Sequence, residues 1–368
     1  MKKTKIAFVG VGDISHTYLP NLTKKFDEIE VIGVCDLIRE RAEWAVREFG
    51  IPKLYNDMYE LFADPEVDIV LNITRPDEHY EVTKAALLAG KHVYSEKPLA
   101  ATLEKGAELV ELAKEKGLYL GGAPDTFLGG AIQTARKLID AGEIGEIVSA
   151  AGFMKCRGHE TWHPDPEFYY KRGGGPMMDM GPYYVTAFVN LLGSAVRVTS
   201  MTRNTYPERV ITSKPKYGQV IHPTVPTHVA GLIEFESGAI ATLLTSFDIY
   251  PMGSNNFIEI YGSKGAMIVP DPNNFGSPVK ILRPSGEWEE IEPTFDYTWN
   301  ARGVGLCDMA KAIETGRTPR AGYELTYHAL EVMTALTTAG DLGRHIDIAS
   351  RYNRTAPMVA GIPEGKLD

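Results

Sequence analysis

"KIAFVGVGDIS", residues 5–15, decides how the chain is read. Ile6 to Val9 form an apolar run without alternation, as expected of a strand buried on both faces. Gly10 and Gly12 interrupt it, and a helical pattern begins at Ser15. At such a junction the first glycine permits a tight turn. The second lets a pyrophosphate approach the backbone at the helix N-terminus, beside Asp13 and Ile14. The third position of the G-x-G-x-x-G pattern is Ser15, which is small enough for close helix–sheet packing. Asp36 closes a second strand, "IEVIGVCD" at 29–36, where an acid can bind ribose hydroxyls. A carboxylate there repels a 2′-phosphate, and neither Leu37 nor Ile38 offers a cation. NAD is therefore expected rather than NADP, although Arg39 leaves room for the latter.

Working outward, the alternation continues to about residue 122. "DIVLNIT", "HVYSEKP" and "LYLGGA" read as strands, with "EHYEVTKAALLAG" and "LEKGAELVELAKEKG" as helices between them. That order predicts a doubly wound parallel sheet, a Rossmann domain over 1–123. Beyond it the texture changes. "AIQTARKLIDAGEIG" is a helix, and "RVTSMTRN", "HVAGLIEFESGAIATLLTSFDIY" and "NFIEIYGSKGAMIVP" are strand-rich with Ser-Gly and Lys-Gly turns. An α/β domain with a large open, mostly antiparallel sheet is expected over 124–350, and an irregular arm over 351–368.

Composition narrows the function classes. The 368 residues carry 38 Lys and Arg against 48 Asp and Glu, a formal charge of −10, which disfavours a nucleic-acid or anionic-membrane surface. No stretch reaches the length of a membrane span. Cys35, Cys156 and Cys307 are scattered and odd in number, which fits a reducing, cytoplasmic setting.

"GGGPMMDMGPYY", 173–184, places Asp179 four residues before Tyr183. Asp179 could simply cap the following helix, with Pro182 in its first turn. The apolar stripe of that helix, Val185, Phe188, Val189 and Leu192, points away from both residues, so its core face does not demand Tyr183.

Together with "EKP" at 96–98, these segments make the chain resemble the Gfo/Idh/MocA family, that of glucose–fructose oxidoreductase and inositol dehydrogenase. The resemblance runs through "VGVGDIS", "CDLIRERA", "NITRPDEHYEVTKAALLAGKHVYSEKPLA", "LIDAGEIGEI", "GGGPMMDMG" and "IEIYGSKGAMIV". It implies that Thr74, Arg75, Pro76, His79 and Glu96 line the cofactor, and that Lys97 serves both cofactor and substrate. It also implies that Asp179 binds substrate and that an acid–base residue stands at 183. That residue is usually histidine and here tyrosine, as in some members. Asp125 stands where a polar family residue reaches the active site. The sheet of the second domain implies a homodimer or homotetramer. A free tyrosine titrates near 10, so Lys97 is the expected partner that favours its phenolate.

"HETWH", 159–163, matches the zinc-protease signature H-E-x-x-H. Pro164 disfavours the helix that would aim both histidines at one ion, so no metal is expected. Trp162 instead suits stacking on a pyranose, with His159 and His163 binding hydroxyls. The expectation is an NAD(H)-dependent enzyme moving hydride between nicotinamide and a secondary or anomeric hydroxyl of a sugar, cyclitol or related polyol. Lys97 and Tyr183 would be the proton-transfer pair. A glycosidase working by transient oxidation and elimination would use the same residues, a non-catalytic dinucleotide-binding protein would not need them, and a zinc hydrolase is the remaining rival.

Overall fold

The computed structural model describes residues 3–251 and 256–368. The chain forms two compact units, one of Met1–Gly129, Phe295–Tyr327 and Thr355–Asp368, the other of Gly130–Thr294 and His328–Arg354.

In the first unit six strands make a parallel sheet: β1 (Thr4–Val9), β2 (Ile29–Cys35), β3 (Lys53–Leu54), β4 (Ile69–Asn72), β5 (His92–Ser95) and β6 (Leu120–Gly122). Their order is β3-β2-β1-β4-β5-β6. Helices α1 (Ser15–Lys24), α2 (Arg39–Phe49), α3 (Met58–Ala63), α4 (His79–Leu88) and α5 (Leu103–Lys116) connect them. Every residue of β4 is buried, as is β1 from Ile6 onward, which is why these segments read as continuous apolar runs. Order reverses between β1 and β4, and ligands of such sheets bind outside the strand ends at that switch point. The sequence-based fold class holds here.

The second unit begins with α6 (Gly130–Asp140). It contains β7 (Ile147–Lys155), α7 (Gly175–Asp179), α8 (Gly181–Leu192), β8 (Ala195–Arg203), the short pair β9 (Arg209–Val210) and β10 (Val220–Ile221), β11 (His228–Phe235), β12 (Ile240–Ser246), β13 (Ile258–Gly262), β14 (Gly265–Val269), β15 (Val279–Leu282) and β16 (Trp288–Ile291). α9 (Val304–Thr315) lies in the first unit, α10 (Tyr323–Leu342) has residues in both, and β17 (Ile346–Asp347) returns to the second. The large sheet runs β16-β15-β14-β13-β7-β12-β11-β8-β17 and is antiparallel except for the pair β12–β7.

The units are not consecutive stretches, unlike a division at residues 123 and 350. Residues 295–327 return to the first unit because its hydrogen bonds hold them there. Asn21 donates to the carbonyls of Asn300 and Arg302, and the Gly122 amide donates to the Ala321 carbonyl at 3.0 Å. The tail behaves likewise: Arg320, anchored on the buried Asp308 at 2.6 Å, donates to the carbonyls of Ala356 and Pro357.

α8 corrects one expectation from periodicity. The backbone breaks at Met180, so Asp179 ends α7 rather than capping α8. All twelve residues of α8 are buried, Tyr183 included, so its apolar stripe does not separate a core face from a free one.

Candidate active site

In the first unit the adjacent strand ends of β2, β1, β4 and β5 bring the expected cofactor residues into one row. Asp36 follows β2, Gly10 to Ile14 follow β1, Thr74 to Pro76 follow β4, and Glu96 and Lys97 follow β5. Gly10 has φ +98°, and a Cβ there would stand 3.0 Å from the Ile73 carbonyl oxygen, so glycine is required. At Gly12 an added Cβ would meet no atom within 4 Å. That open cradle at the start of α1 is what a pyrophosphate needs. Ser15 is fully buried and donates to the Gly12 carbonyl at 2.6 Å, as the third small residue of the motif should.

Asp36 ties the turn together. Its carboxylate accepts from the Val11 amide at 2.6 Å and from the Ile38 amide at 2.7 Å, with one bond to each oxygen. Each carboxylate oxygen still has acceptor capacity for a ribose hydroxyl. Arg39 is engaged with Glu43 and Asn56 at 3.0 and 3.1 Å. The residues therefore fit a dinucleotide with free ribose hydroxyls.

Three of the expected site residues are buried. His79 is buried, with Nδ1 2.8 Å from the Pro98 carbonyl and Nε2 3.0 Å from the Thr74 carbonyl. Burial pushes its imidazole below the ordinary value. A neutral ring carries one N–H, so it donates to one of these carbonyls and only packs against the other. Glu96 is buried and accepts from the Tyr18 hydroxyl at 2.9 Å and from the Lys97 amide at 3.0 Å. Asp125 is also buried, and one oxygen accepts from the amides of Gly303 and Gly305 at 2.8 and 3.1 Å. Burial pushes its carboxyl up to about 6 against the pull of those two amides. Lys97 itself is half-buried, and Arg75 is exposed.

The second unit gathers the other residues. His159 Nε2 stands 3.2 Å from Asp179 Oδ2, and it is the donor because a carboxylate only accepts. The His159 ring is packed by Tyr169 at 4.2 Å, Phe247 at 4.5 Å and Trp162 at 5.3 Å between centroids. "HETWH" forms a single tight turn, in which the His163 amide donates to the His159 carbonyl at 3.0 Å. Glu160 is not placed as a catalytic base. It is buried, takes a 2.8 Å ion pair from Arg209, and accepts the Tyr170 hydroxyl. Among the described residues no three His, Cys, Asp or Glu side chains form a metal-binding group. Tyr183 stands in the first turn of α8, its amide donating to the Met180 carbonyl at 3.2 Å.

Sequence reading missed the supports. Arg209 is buried and bridges Glu160, Asp248 and the Phe247 carbonyl, and the Tyr170 hydroxyl accepts from the His159 amide at 3.1 Å. One guanidinium thus braces both the turn that carries His159 and the strand end that carries Phe247. Tyr18, one helical turn after Ser15, is the matching support for Glu96.

A fold with this strand order, glycine cradle and terminal acid defines a dinucleotide-binding domain. The profile of the oxidoreductase family with an NAD-binding Rossmann fold matches residues 4–122, and that of the GFO/IDH/MocA C-terminal domain matches residues 132–268. The chain belongs to the Gfo/Idh/MocA oxidoreductase family, and its first unit is an NAD-binding Rossmann domain.

It is 27% identical over 322 residues to the scyllo-inositol 2-dehydrogenase (NAD(+)) of Bacillus subtilis, covering 86% of this chain and 88% of that protein. It is 29% identical over 253 residues to the D-glucoside 3-dehydrogenase of Escherichia coli, covering 66% and 70%. The structure of a levoglucosan dehydrogenase in complex with NADH superposes with a TM-score of 0.82 at 19% identity, covering 95% of this chain and 100% of the other. An aldose-aldose oxidoreductase from Caulobacter crescentus superposes with a TM-score of 0.79 at 24% identity, covering 94% and 100%. These two likenesses are of fold. Among the described residues no helix is long and apolar enough to cross a membrane.

Proposed function

We propose that the enzyme oxidises a secondary or anomeric hydroxyl of a sugar, cyclitol or related polyol, with NAD preferred to NADP. Bound NAD supplies the hydride acceptor. Gly10, Gly12, Asp13 and Ile14 hold the pyrophosphate end, Asp36 the ribose hydroxyls, and Thr74, Pro76 and Lys97 the remainder of the row. Arg75, His79 and Glu96 support that row. Asp179 accepts a hydrogen bond from the substrate, Tyr183 takes the hydroxyl proton, and Lys97 is its cationic partner in the reaction.

The observation that carries this reading is the His159–Asp179 pair at 3.2 Å, set among aromatic rings. A carboxylate oriented by a histidine accepts from hydroxyls, and rings beside it cover the apolar faces of a cyclic polyol. The names of the two curated relatives support the same substrate class. Aldoses, glycosides and inositols are screened with NAD and with NADP while absorbance at the NADH band is followed. Accumulating NADH with at least one of them is the expected result. Glycoside cleavage without net NADH would replace this reading with transient oxidation and elimination.

The outer face of the large sheet supports assembly from identical chains. Met201, Leu232, Ile240, Tyr261 and Trp288 all point to that one face and are exposed. We read this face as the contact of a homodimer or homotetramer. None of the three cysteines is in a disulfide, which supports a cytoplasmic location.

A further inference from the structure

Trp162 is 59% exposed, more open than the half-buried His159 and His163 rings beside it. Its indole centroid lies 5.3 Å from His159 and 5.3 Å from His163, near perpendicular to both. The turn that carries it is fixed rather than loose. The Trp162 amide donates to the His159 carbonyl at 3.3 Å, the Ser213 hydroxyl donates to the His163 carbonyl at 2.5 Å, and the Asp165 amide donates to His163 Nδ1 at 3.0 Å. With Nδ1 accepting from the Asp165 amide, the His163 ring is held beside the indole by its own turn. An apolar ring held open to solvent by a hydrogen-bonded turn gives a ligand area without a further ordering cost.

Charge and position narrow the ligand. The carboxylate nearest in sequence, Glu160, is paired with Arg209, Asp165 and Glu167 share the one ammonium of Lys216 at 2.6 Å, and the binding acid Asp179 disfavours an anion. A pyranose held through its hydroxyls at Asp179 covers His159, which is bonded to that acid. Of the three rings packed on His159, Trp162 is the exposed one, whereas Tyr169 is half-buried and Phe247 buried, so the indole is placed for a neighbour joined to that pyranose.

We propose that Trp162 is the platform of an outer subsite for the second ring of a neutral glycoside, so that the substrate is a two-ring molecule oxidised on the ring held at Asp179. This rests on the dehydrogenase reading above and narrows it: free monosaccharides and cyclitols occupy only the inner position. A second sugar and an aryl aglycone present the same chemistry, a neutral ring with an apolar face.

The test compares methyl glucosides, myo-inositol, disaccharides (trehalose, maltose, cellobiose) and p-nitrophenyl glucosides on the wild type, Trp162→Ala and Trp162→Phe. kcat/KM is measured with NAD, and affinity by calorimetry on NADH-loaded protein. At least one two-ring compound should exceed its methyl glycoside by about tenfold, equivalent to about 1.4 kcal/mol. Trp162→Ala should cut that ratio to within about twofold, and Trp162→Phe should keep most of it, since a smaller ring still stacks. Preference for disaccharides or for nitrophenyl glycosides identifies the source of the second ring. A ratio of one in the wild type overturns the subsite, as does an undiminished ratio in Trp162→Ala. A Trp162→Ala protein that changes oligomeric mass while keeping the ratio overturns it too, and makes the indole an interface residue. If nothing reduces NAD while calorimetry still shows a Trp162-dependent two-ring preference, the subsite stands and the dehydrogenase reading falls. If calorimetry shows no such preference, the subsite falls.

Discussion

At the scale of single residues, Tyr183→Phe is the sharpest probe of the proton-transfer assignment. The variant keeps the ring that is buried in α8 and removes only its hydroxyl, the group proposed to move the proton. Turnover should fall by roughly 10²–10⁴, the usual worth of a positioned acid–base group, with NADH affinity and thermal stability close to wild type. Near-normal turnover would return Tyr183 to packing and send the search for a base to His159, His163 and Asp179. Asp125 carries a prediction of a different kind, since its carboxyl is pushed from 3.8 to about 6 by burial. Between those values the folded chain keeps a proton that the unfolded chain has released. This raised pKa therefore stabilises the fold at low pH, and the benefit is lost as pH rises through about 4 to 6, by about 3 kcal/mol in all. Asp125→Asn keeps an acceptor for Gly303 and Gly305 but cannot ionise. Its stability relative to wild type should therefore improve with rising pH across that window, as read from urea midpoints at pH 4, 5, 6 and 7. A difference that does not vary with pH would mean the carboxyl titrates as an ordinary one.

At the scale of elements, the turn after β1 and the turn of residues 159–163 show what a sequence window can and cannot reveal. Everything the dinucleotide turn needs lies between residues 5 and 36, and it was legible from glycine spacing and one terminal acid. Gly12→Ala tests it: with no atom within 4 Å of the new methyl, stability should change by no more than about 0.5 kcal/mol. NADH affinity should nevertheless drop by about tenfold or more, because the methyl fills the cradle. Unchanged affinity in a titration would remove Gly12 from the site. "HETWH" was legible as a non-helical turn, but its glutamate was not legible as an anchor. The partner, Arg209, lies 49 residues away in a stretch with no motif, and Tyr18 and Glu96 are separated by 78 residues. Such pairings exist only once the sheets have formed. The same limit applies to Asp125, whose partners, the Gly303 and Gly305 amides, lie 178 and 180 residues away. Arg209→Leu should expose the cost of losing that brace, leaving Glu160 and Asp248 as buried carboxylates without a cation, worth about 3–5 kcal/mol. Substrate kcat/KM should fall with it while the KM for NAD holds, because the cation fixes His159 and not the dinucleotide turn. Arg209→Lys should restore only part, as an ammonium lacks the planar fork whose two nitrogens reach Glu160 on one side and Asp248 and the Phe247 carbonyl on the other. A stable Arg209→Leu enzyme with normal kinetics would show that the brace is dispensable.

At the scale of the whole molecule, the sequence made both sheets legible but not the way the chain distributes itself between units, because return segments such as 295–327 carry no signal of where they will pack. What the strand pattern does fix is the character of the outer sheet face. Opposite partners in a sheet share a face, so the row Thr199–Leu232–Thr242–Ala151 and the row Met201–Ala230–Leu244–Phe153 lie side by side on one surface. The pairs Arg197–Glu234 at 3.9 Å and Lys280–Glu290 at 2.7 Å lie on the same face. Single exposed apolar residues need no explanation, but several on one face, from Met201 of β8 to Trp288 of β16, support the proposed contact. A sheet face of that breadth can supply the roughly 1,000 Å² or more that a stable interface needs. Leu232→Glu tests this at the middle of the first row. In an isolated chain the new carboxylate stays in water, since Leu232 is 45% exposed, so folding should be retained by circular dichroism and thermal melt. Between two chains it would be buried without a partner, which costs several kcal/mol and is met twice in a symmetric dimer. Light scattering coupled to size exclusion should therefore give a multiple of the chain mass for the wild type and one chain mass for the variant. A wild type that runs as a monomer, or a Leu232→Glu protein that stays assembled, would rule out this face as the contact.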